Sequence, residues 1–271
     1  MRIVILASSV YSETSCAMAV RLAEVGYIPV GGLALSSLNR ATLLRKFAQW
    51  GPREALRYAR SKLIPQTGTA PGRMQNKLLE PWLKAGEQRF RNLKEVARFY
   101  RFPVAVCRDQ NAAASVSRLR VWAPDLIVFT GGNILRKAVL SVARLGVLNL
   151  HLGLLPEIRG MSSPEWSLLS NVPVGVTIHS MDEGIDTGPI LRRLEFPDAK
   201  QCRSRAELRN RLIAFGVEQI GNVISDLDRG LLAPTPQPDQ EVDTQCFVMH
   251  EWLQARADGL LTGRLTRATH E

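Results

Sequence analysis

The sequence predicts an α/β fold: a Rossmann-like, doubly wound, mostly parallel sheet with a basic helical insertion and a short C-terminal extension. Three observations carry this. Residues 2–7 form a short apolar strand, 16–25 keep helical periodicity up to Gly26, and 28–35 read as a second strand, a β-α-β opening. Residues 125–130, Asp-Leu-Ile-Val-Phe-Thr, are a continuous apolar run, as in a central parallel strand covered on both faces. The 271 residues, 45% of them hydrophobic, hold enough material for one sizeable domain with an extension, or for two small domains.

The remaining elements follow in order. The first turn, residues 8–15, contains no glycine, so a pyrophosphate could not approach its backbone as it does in dinucleotide-binding folds. Residues 40–101 hold fifteen Lys and Arg against four Glu, which accounts for essentially the whole net charge of +10. This stretch reads as helical at 41–49, 53–63 and 74–99, with Trp50, Tyr58, Trp82 and Phe90 interleaved. A solvated helical face explains it, and so does a surface for a phosphate-bearing, membrane-bound or nucleic-acid partner. Then come a strand at 104–107, a helix at 111–122 opened by Asn111, and the 125–130 strand closed by Gly131-Gly132-Asn133. A helix is expected at 134–143, and strands at 146–151, 174–179 and 189–196. Helix 204–229 begins with the capping box Ser204/Glu207 and closes at Gly230. The tail from Pro234-Thr235-Pro236-Gln237-Pro238 is extended and polar, with a short helix at 249–257.

Composition narrows the function classes. No run reaches the roughly 18–20 apolar residues that span a bilayer. The opening Met1–Ala7 reads as a buried strand and not as a leader, and a cytoplasmic location is expected. Cys16, Cys107, Cys202 and Cys246 are scattered without CxxC spacing, so free thiols are expected, with neither a disulfide framework nor a metal site.

The chemistry concentrates in residues 125–190. Asn149 and His151 alternate onto one face of the 146–151 strand. Asp186 follows in the Gly-flanked loop 183–188. An amide, an imidazole and a carboxylate can together move a proton and hold a developing oxyanion. Taken singly, the histidine could be structural and the aspartate mere turn chemistry. No serine or cysteine stands between glycines as a nucleophile, so direct acyl transfer fits better than a covalent enzyme intermediate.

The ordered motifs say more. Asn149-x-His151 is followed by Leu154-Leu155-Pro156-x-x-Arg159-Gly160, then Gly175-Val176-Thr177-Ile178-His179, then Met181-Asp182-Glu183-Gly184-Ile185-Asp186-Thr187-Gly188-Pro189-Ile190. In these motifs the chain resembles the folate-dependent formyltransferases, well over residues 100–237 and more loosely before. The resemblance implies 10-formyltetrahydrofolate as formyl donor, no metal, and a primary amine as acceptor. It implies catalytic roles for Asn149, His151 and Asp186. It implies that the pterin lies against Gly131, Gly132, Asn133, Ile134 and Leu135 and against Met181, Asp182, Glu183, Gly184 and Ile185, mostly through backbone. His179 is expected to support the site from behind, and Arg159 to hold the Leu-Leu-Pro loop or to contact substrate.

On this reading residues 1–200 form the catalytic domain and 201–271 a helix and tail packing on it. The glycine-free first turn disfavours glycinamide ribonucleotide as acceptor. The chain is expected to be too short for the C-terminal barrel of methionyl-tRNA formyltransferases. The expected acceptor is therefore a small, anionic amine, most simply a nucleotide-linked amino sugar. Formylation of aminoacyl-tRNA, hydrolysis of the donor to formate, and a non-catalytic folate-binding or membrane-associated module are the alternatives. A homodimer and a peripheral membrane contact stay open.

Overall fold

The computed structural model describes residues 1–36, 76–238 and 245–263. The predicted helices 41–49 and 53–63, with most of the basic excess, lie outside the described residues. The first strand, β1 (Ile3–Ala7), is wholly buried. Helix α1 (Glu13–Glu24) starts three residues before its apolar stripe because Ser12 caps it, its Oγ accepting from the Ser15 N–H at 3.2 Å. Strand β2 (Gly31–Leu35) is shorter than its apolar run. Gly31 is obligatory there, since a Cβ would enter the Trp122 ring.

The helix expected over 74–99 is not continuous. A 3-10 turn (Lys77–Trp82) contains Pro81, which supplies no N–H to extend a helix. Two-residue strands β3 (Lys84–Ala85) and β4 (Gln88–Arg89) then reverse the chain through Gly86, at φ 57°. Only after Asn92, whose Oδ1 caps the Glu95 N–H at 3.1 Å, does α2 (Leu93–Tyr100) form.

The rest alternates as expected: β5 (Val104–Cys107), α3 (Ala113–Trp122), β6 (Leu126–Phe129), α4 (Lys137–Leu140) and β7 (Val147–His151). The helix expected over 134–143 is the single turn α4. Neither β8 (Arg159–Gly160) nor α5 (Ser163–Leu169) has a sequence forecast. Strands β9 (Gly175–Ser180) and β10 (Ile190–Glu195) lead to the long helix α6 (Arg205–Asp228). Ser204 Oγ caps the Glu207 N–H at 3.2 Å, and the Glu207 carboxylate reaches back to the Arg203 N–H at 2.9 Å. Strand β11 (Gln245–Cys246) and helix α7 (Glu251–Leu261) complete the described chain.

The main sheet has seven strands in the order β10-β9-β7-β6-β1-β2-β5. Strands β7, β6, β1, β2 and β5 are parallel, whereas β9 is antiparallel to both its neighbours. Alternate residues of β1 feed opposite cores, which is what double winding requires. Ile3 and Ile5 join α1 and α6 through Met18, Leu22, Ile220 and Ile224. Val4 and Leu6 join α3 and α4 through Leu119 and Val139. The strand order reverses between β1 and β6, the switch point beyond which open α/β sheets bind ligands. Among the described residues no helix is long and apolar enough to cross a membrane, and Cys16, Cys107 and Cys202 are free thiols.

Candidate active site

Strand β7 carries Asn149 and His151 on one face, and the antiparallel register sets His179 directly opposite Asn149 and Thr177 opposite His151. Directly opposed side chains on one face of such a pair lie close enough to interact. The reversal of β9 has a consequence that periodicity did not foretell. Its end, Ser180, lies beside the beginning of β7, so the following loop folds back over the sheet and does not sit beyond the strand ends. That return delivers the Asp186 carboxylate to the cluster.

The carboxylate is the hub. Oδ2 lies 3.3 Å from His151 Nδ1 and accepts from the Gly160 N–H at 2.8 Å. Oδ1 lies 3.5 Å from His179 Nε2 and 3.5 Å from Asn149 Nδ2. Asn149 Nδ2 is also 3.2 Å from His179 Nε2. Each imidazole has its other nitrogen against a backbone carbonyl: His151 Nε2 against Ile158 O at 2.7 Å, and His179 Nδ1 against Ser180 O at 2.9 Å. A carbonyl can only accept, so those nitrogens carry the N–H. In the neutral rings His151 Nδ1 and His179 Nε2 are therefore lone pairs. Asn149 donates to the lone pair of His179. The lone pair of His151 faces the carboxylate, an arrangement that becomes a charge-assisted hydrogen bond when one proton arrives. In this arrangement His151 Nδ1 can accept a proton.

The ionisation of the pair follows from its surroundings. Burial pulls His151 below the ordinary imidazole value; the Asp186 charge and the Ile158 carbonyl oppose this without reversing it. Burial tends to raise Asp186, but the neighbouring His179 and His151 rings and the Gly160 N–H outweigh that and hold the carboxyl below the usual range.

Local sequence explains how the partners are delivered. Leu154, Leu155 and Ile158 are buried and anchor the loop after β7. Thr177 Oγ1 holds that loop by donating to Gly153 O at 2.7 Å and accepting from Leu155 N at 3.0 Å. Gly153 lets the loop wrap over the ring, since a Cβ would stand 2.9 Å from His151 Nε2. In the aspartate loop, Asp182 Oδ1 accepts from Gly184 N at 3.1 Å and from Thr187 Oγ1 at 2.6 Å. Gly188 lies against Ser180 O with no room for a Cβ.

The predicted pterin loops are separate in sequence but anchored on one side of the sheet. Leu135 and Met181 both pack into the cluster that contains Val139 and Val147. Ile134 and Ile185 are exposed, at 81% and 43%. Gly131 and Gly132 both have positive φ, 116° and 151°, and a Cβ on Gly132 would run into the Gln110 amide. Asn133 is bound at backbone and side chain by Gln110 (3.0 and 3.2 Å), and Glu183 is exposed. Asn111 does not cap α3, which starts at Ala113; its side chain donates to Ile134 O (2.9 Å) and accepts from Arg136 N (2.8 Å). Gln110, which is buried, and the half-exposed Asn111 thus fasten the loop, and sequence reading missed both as residues that hold it. Their signal was only their place before a predicted helix.

Arg159 does not reach the carboxylate. Its Nη2 donates to Gln237 Oε1 at 3.3 Å, and its neighbour Gly160 makes the bond to Asp186. Among the described residues no group of His, Cys, Asp and Glu stands where it could hold a metal ion.

The family described as formyl transferase matches residues 82–224, more than half the chain, and that span contains the whole His–Asp–His–Asn cluster. The chain belongs to the formyl transferase family. The methionyl-tRNA formyltransferase of Pelobacter propionicus is 35% identical over 149 residues, 54% of this chain and 46% of that protein. The chain thus spans about half the length of the curated relatives it matches. Among solved structures, glycinamide ribonucleotide transformylase 1 from Symbiobacterium toebii aligns with a TM-score of 0.55 at 19% identity, covering 88% of this chain and 94% of that one. A sugar N-formyltransferase from a Shewanella species aligns at 0.52 and 15% identity, covering 100% and 90%. At such identities these structures share the fold with this family member.

Proposed function

We propose that the chain is an N-formyltransferase that moves a formyl group from 10-formyltetrahydrofolate to a primary amine. The observation that carries this is the four-residue cluster in which one carboxylate is shared by two imidazoles and an amide within a formyl transferase domain. The donor, when bound, supplies an activated one-carbon acyl group. The structure suits it: exposed apolar Ile134 and Ile185 stand on two loops with a common anchorage, offering faces to a flat ring and backbone to its polar edge.

In this reading the protein does three things. Asn149 turns an amide hydrogen from His179 or Asp186 towards the oxygen that gains charge during transfer. His151, neutral through burial, takes the proton released by the attacking amine at Nδ1, where the Asp186 carboxylate stabilises the resulting cation. His179, pinned by Ser180 O, keeps Asn149 and Asp186 in place. The mechanism needs no covalent bond to the protein.

A nucleotide-linked amino sugar is the acceptor we infer, because the chain has an excess of basic residues for an anionic substrate and no glycine in the first turn. The test is a panel of nucleotide-linked amino sugars incubated with 10-formyltetrahydrofolate, followed by release of tetrahydrofolate. Acceptor-dependent release is expected. Release of formate without any amine would point to hydrolysis instead. Transfer to methionyl-tRNA alone, with affinity falling steeply as salt rises, would replace the sugar by tRNA, the substrate named for the 35% identical relatives.

A further inference from the structure

The alternating motif Pro234-Thr235-Pro236-Gln237-Pro238 lies far from the cluster in sequence yet ends on its hub. Three prolines fix φ and provide no N–H, which favours an extended segment ordered before it docks. Thr235 fastens the segment to the start of β10 through two backbone bonds with Ile190, each 2.8 Å. Two residues on, the Gln237 side chain reaches the aspartate loop. Its Nε2 donates to Asp186 O at 2.9 Å and to Gly188 O at 2.7 Å, and its Oε1 accepts from Arg159 Nη2 at 3.3 Å. The amide orientation is dictated by its partners, because two carbonyls can only accept and a guanidinium can only donate.

Asp186 needs such support. It is a non-glycine residue at φ 54°, in the left-handed region that most side chains avoid and that Asp enters when local hydrogen bonds support it. Its carboxylate must meet His151, His179, Asn149 and the Gly160 N–H together. Gln237 spans the backbone on both sides of Thr187 and ties it to Arg159, whose neighbour Gly160 holds the carboxylate from the other end. Backbone and side chain of Asp186 are thereby closed into one ring of contacts.

We infer that Gln237 is a positioning residue for Asp186, and that the proline-flanked segment 234–238 is a strap which sets the carboxylate between the two imidazoles. Gln237 touches none of the reacting groups; it acts through the aspartate. The inference rests on the formyl-transfer reading for its consequence in rate, but not for its geometry.

The test uses the full chain with Gln237→Glu, which keeps shape but puts an acceptor against two carbonyls, and Gln237→Met, which keeps length without polarity. Histidine ionisation is followed by NMR of 15N-labelled imidazoles. Folate affinity is measured with 5-formyltetrahydrofolate, and turnover with 10-formyltetrahydrofolate and a UDP-linked 4-amino sugar. A strap that positions Asp186 predicts a lower His151 titration midpoint in both variants, because the imidazolium loses its well-placed anion. It also predicts an about 10- to 100-fold slower turnover with folate affinity retained. An unchanged midpoint with unchanged kcat overturns the inference, and so does a parallel loss of kcat, folate affinity and thermal stability. If the unsubstituted protein formylates no amine, the proposed function fails, while the imidazole titration still decides the role of Gln237.

Discussion

Replacing Asp186 with Asn tests the centre of the mechanism with little change of shape. The Gly160 N–H requires an acceptor at the Oδ2 position, so the carboxamide oxygen takes that place and its NH2 points to His179 Nε2. The loop is therefore expected to keep its course. What vanishes is the negative charge 3.3 Å from His151 Nδ1, in a place where the side chains are only 6% and 15% exposed. At an effective dielectric of about 20, that charge is worth at most about 5 kcal/mol to an imidazolium. Loss of a proton-transfer partner costs about 10²- to 10⁴-fold in rate, which is about 3–5 kcal/mol of activation free energy. The two routes agree in size. The assay compares the turnover rate with the dissociation constant of 5-formyltetrahydrofolate and the melting temperature. Turnover slowed by about 100-fold or more, with folate binding nearly intact, is expected. A loss below about tenfold, or an equal loss in binding, would refute the role assigned to the charge.

Two further outcomes follow from the same geometry. His151 titrates below its ordinary 6.5 and Asp186 below its ordinary 3.8 in the folded chain. Between the folded and unfolded values the unfolded chain binds the extra proton, so both groups make stability fall with acidification. The His151 contribution is complete above 6.5 and is lost from there downwards; that of Asp186 is complete above 3.8 and is lost as pH drops through its folded value. Urea unfolding at about pH 7.5 and about pH 5 should show this loss, with a shallower slope in His151→Gln; an identical slope would count against the buried neutral imidazole. Gly132→Ala should cost about 2–4 kcal/mol, combining a positive φ of 151° with displacement of the buried Gln110 amide. It should also weaken folate binding, by loosening the loop that Gln110 and Asn133 hold. Tight binding in a stably folded Gly132→Ala protein would sever that loop from the folate site.

Much of the architecture was legible because it is periodic. The apolar runs of β1, β6 and β7 and the capping box of α6 are local signals, written within a few residues of the structure they specify. Where local signals conflicted, reading along the chain failed. Residues 74–99 look amphipathic, yet Pro81 and Gly86 break them into a 3-10 turn and a small hairpin before Asn92 restarts a helix. The two-residue pair of β8 with β11 joins Arg159 to Gln245, far apart in the chain, and has no periodicity to betray it.

The candidate site divides in the same way. Chemical identity was in the sequence: Asn149 and His151 share a face through strand alternation, and their spacing from Asp186 and His179 matched a known pattern. Tertiary structure decided that β9 runs backwards, so that His179 stands opposite Asn149 and the aspartate loop returns over the sheet. It decided as well that a glutamine some fifty residues beyond Asp186 holds its backbone. A side chain's chemistry belongs to its residue, but its working geometry is set by hydrogen bonds between distant segments, which follow only from the direction and register of strands once they have paired.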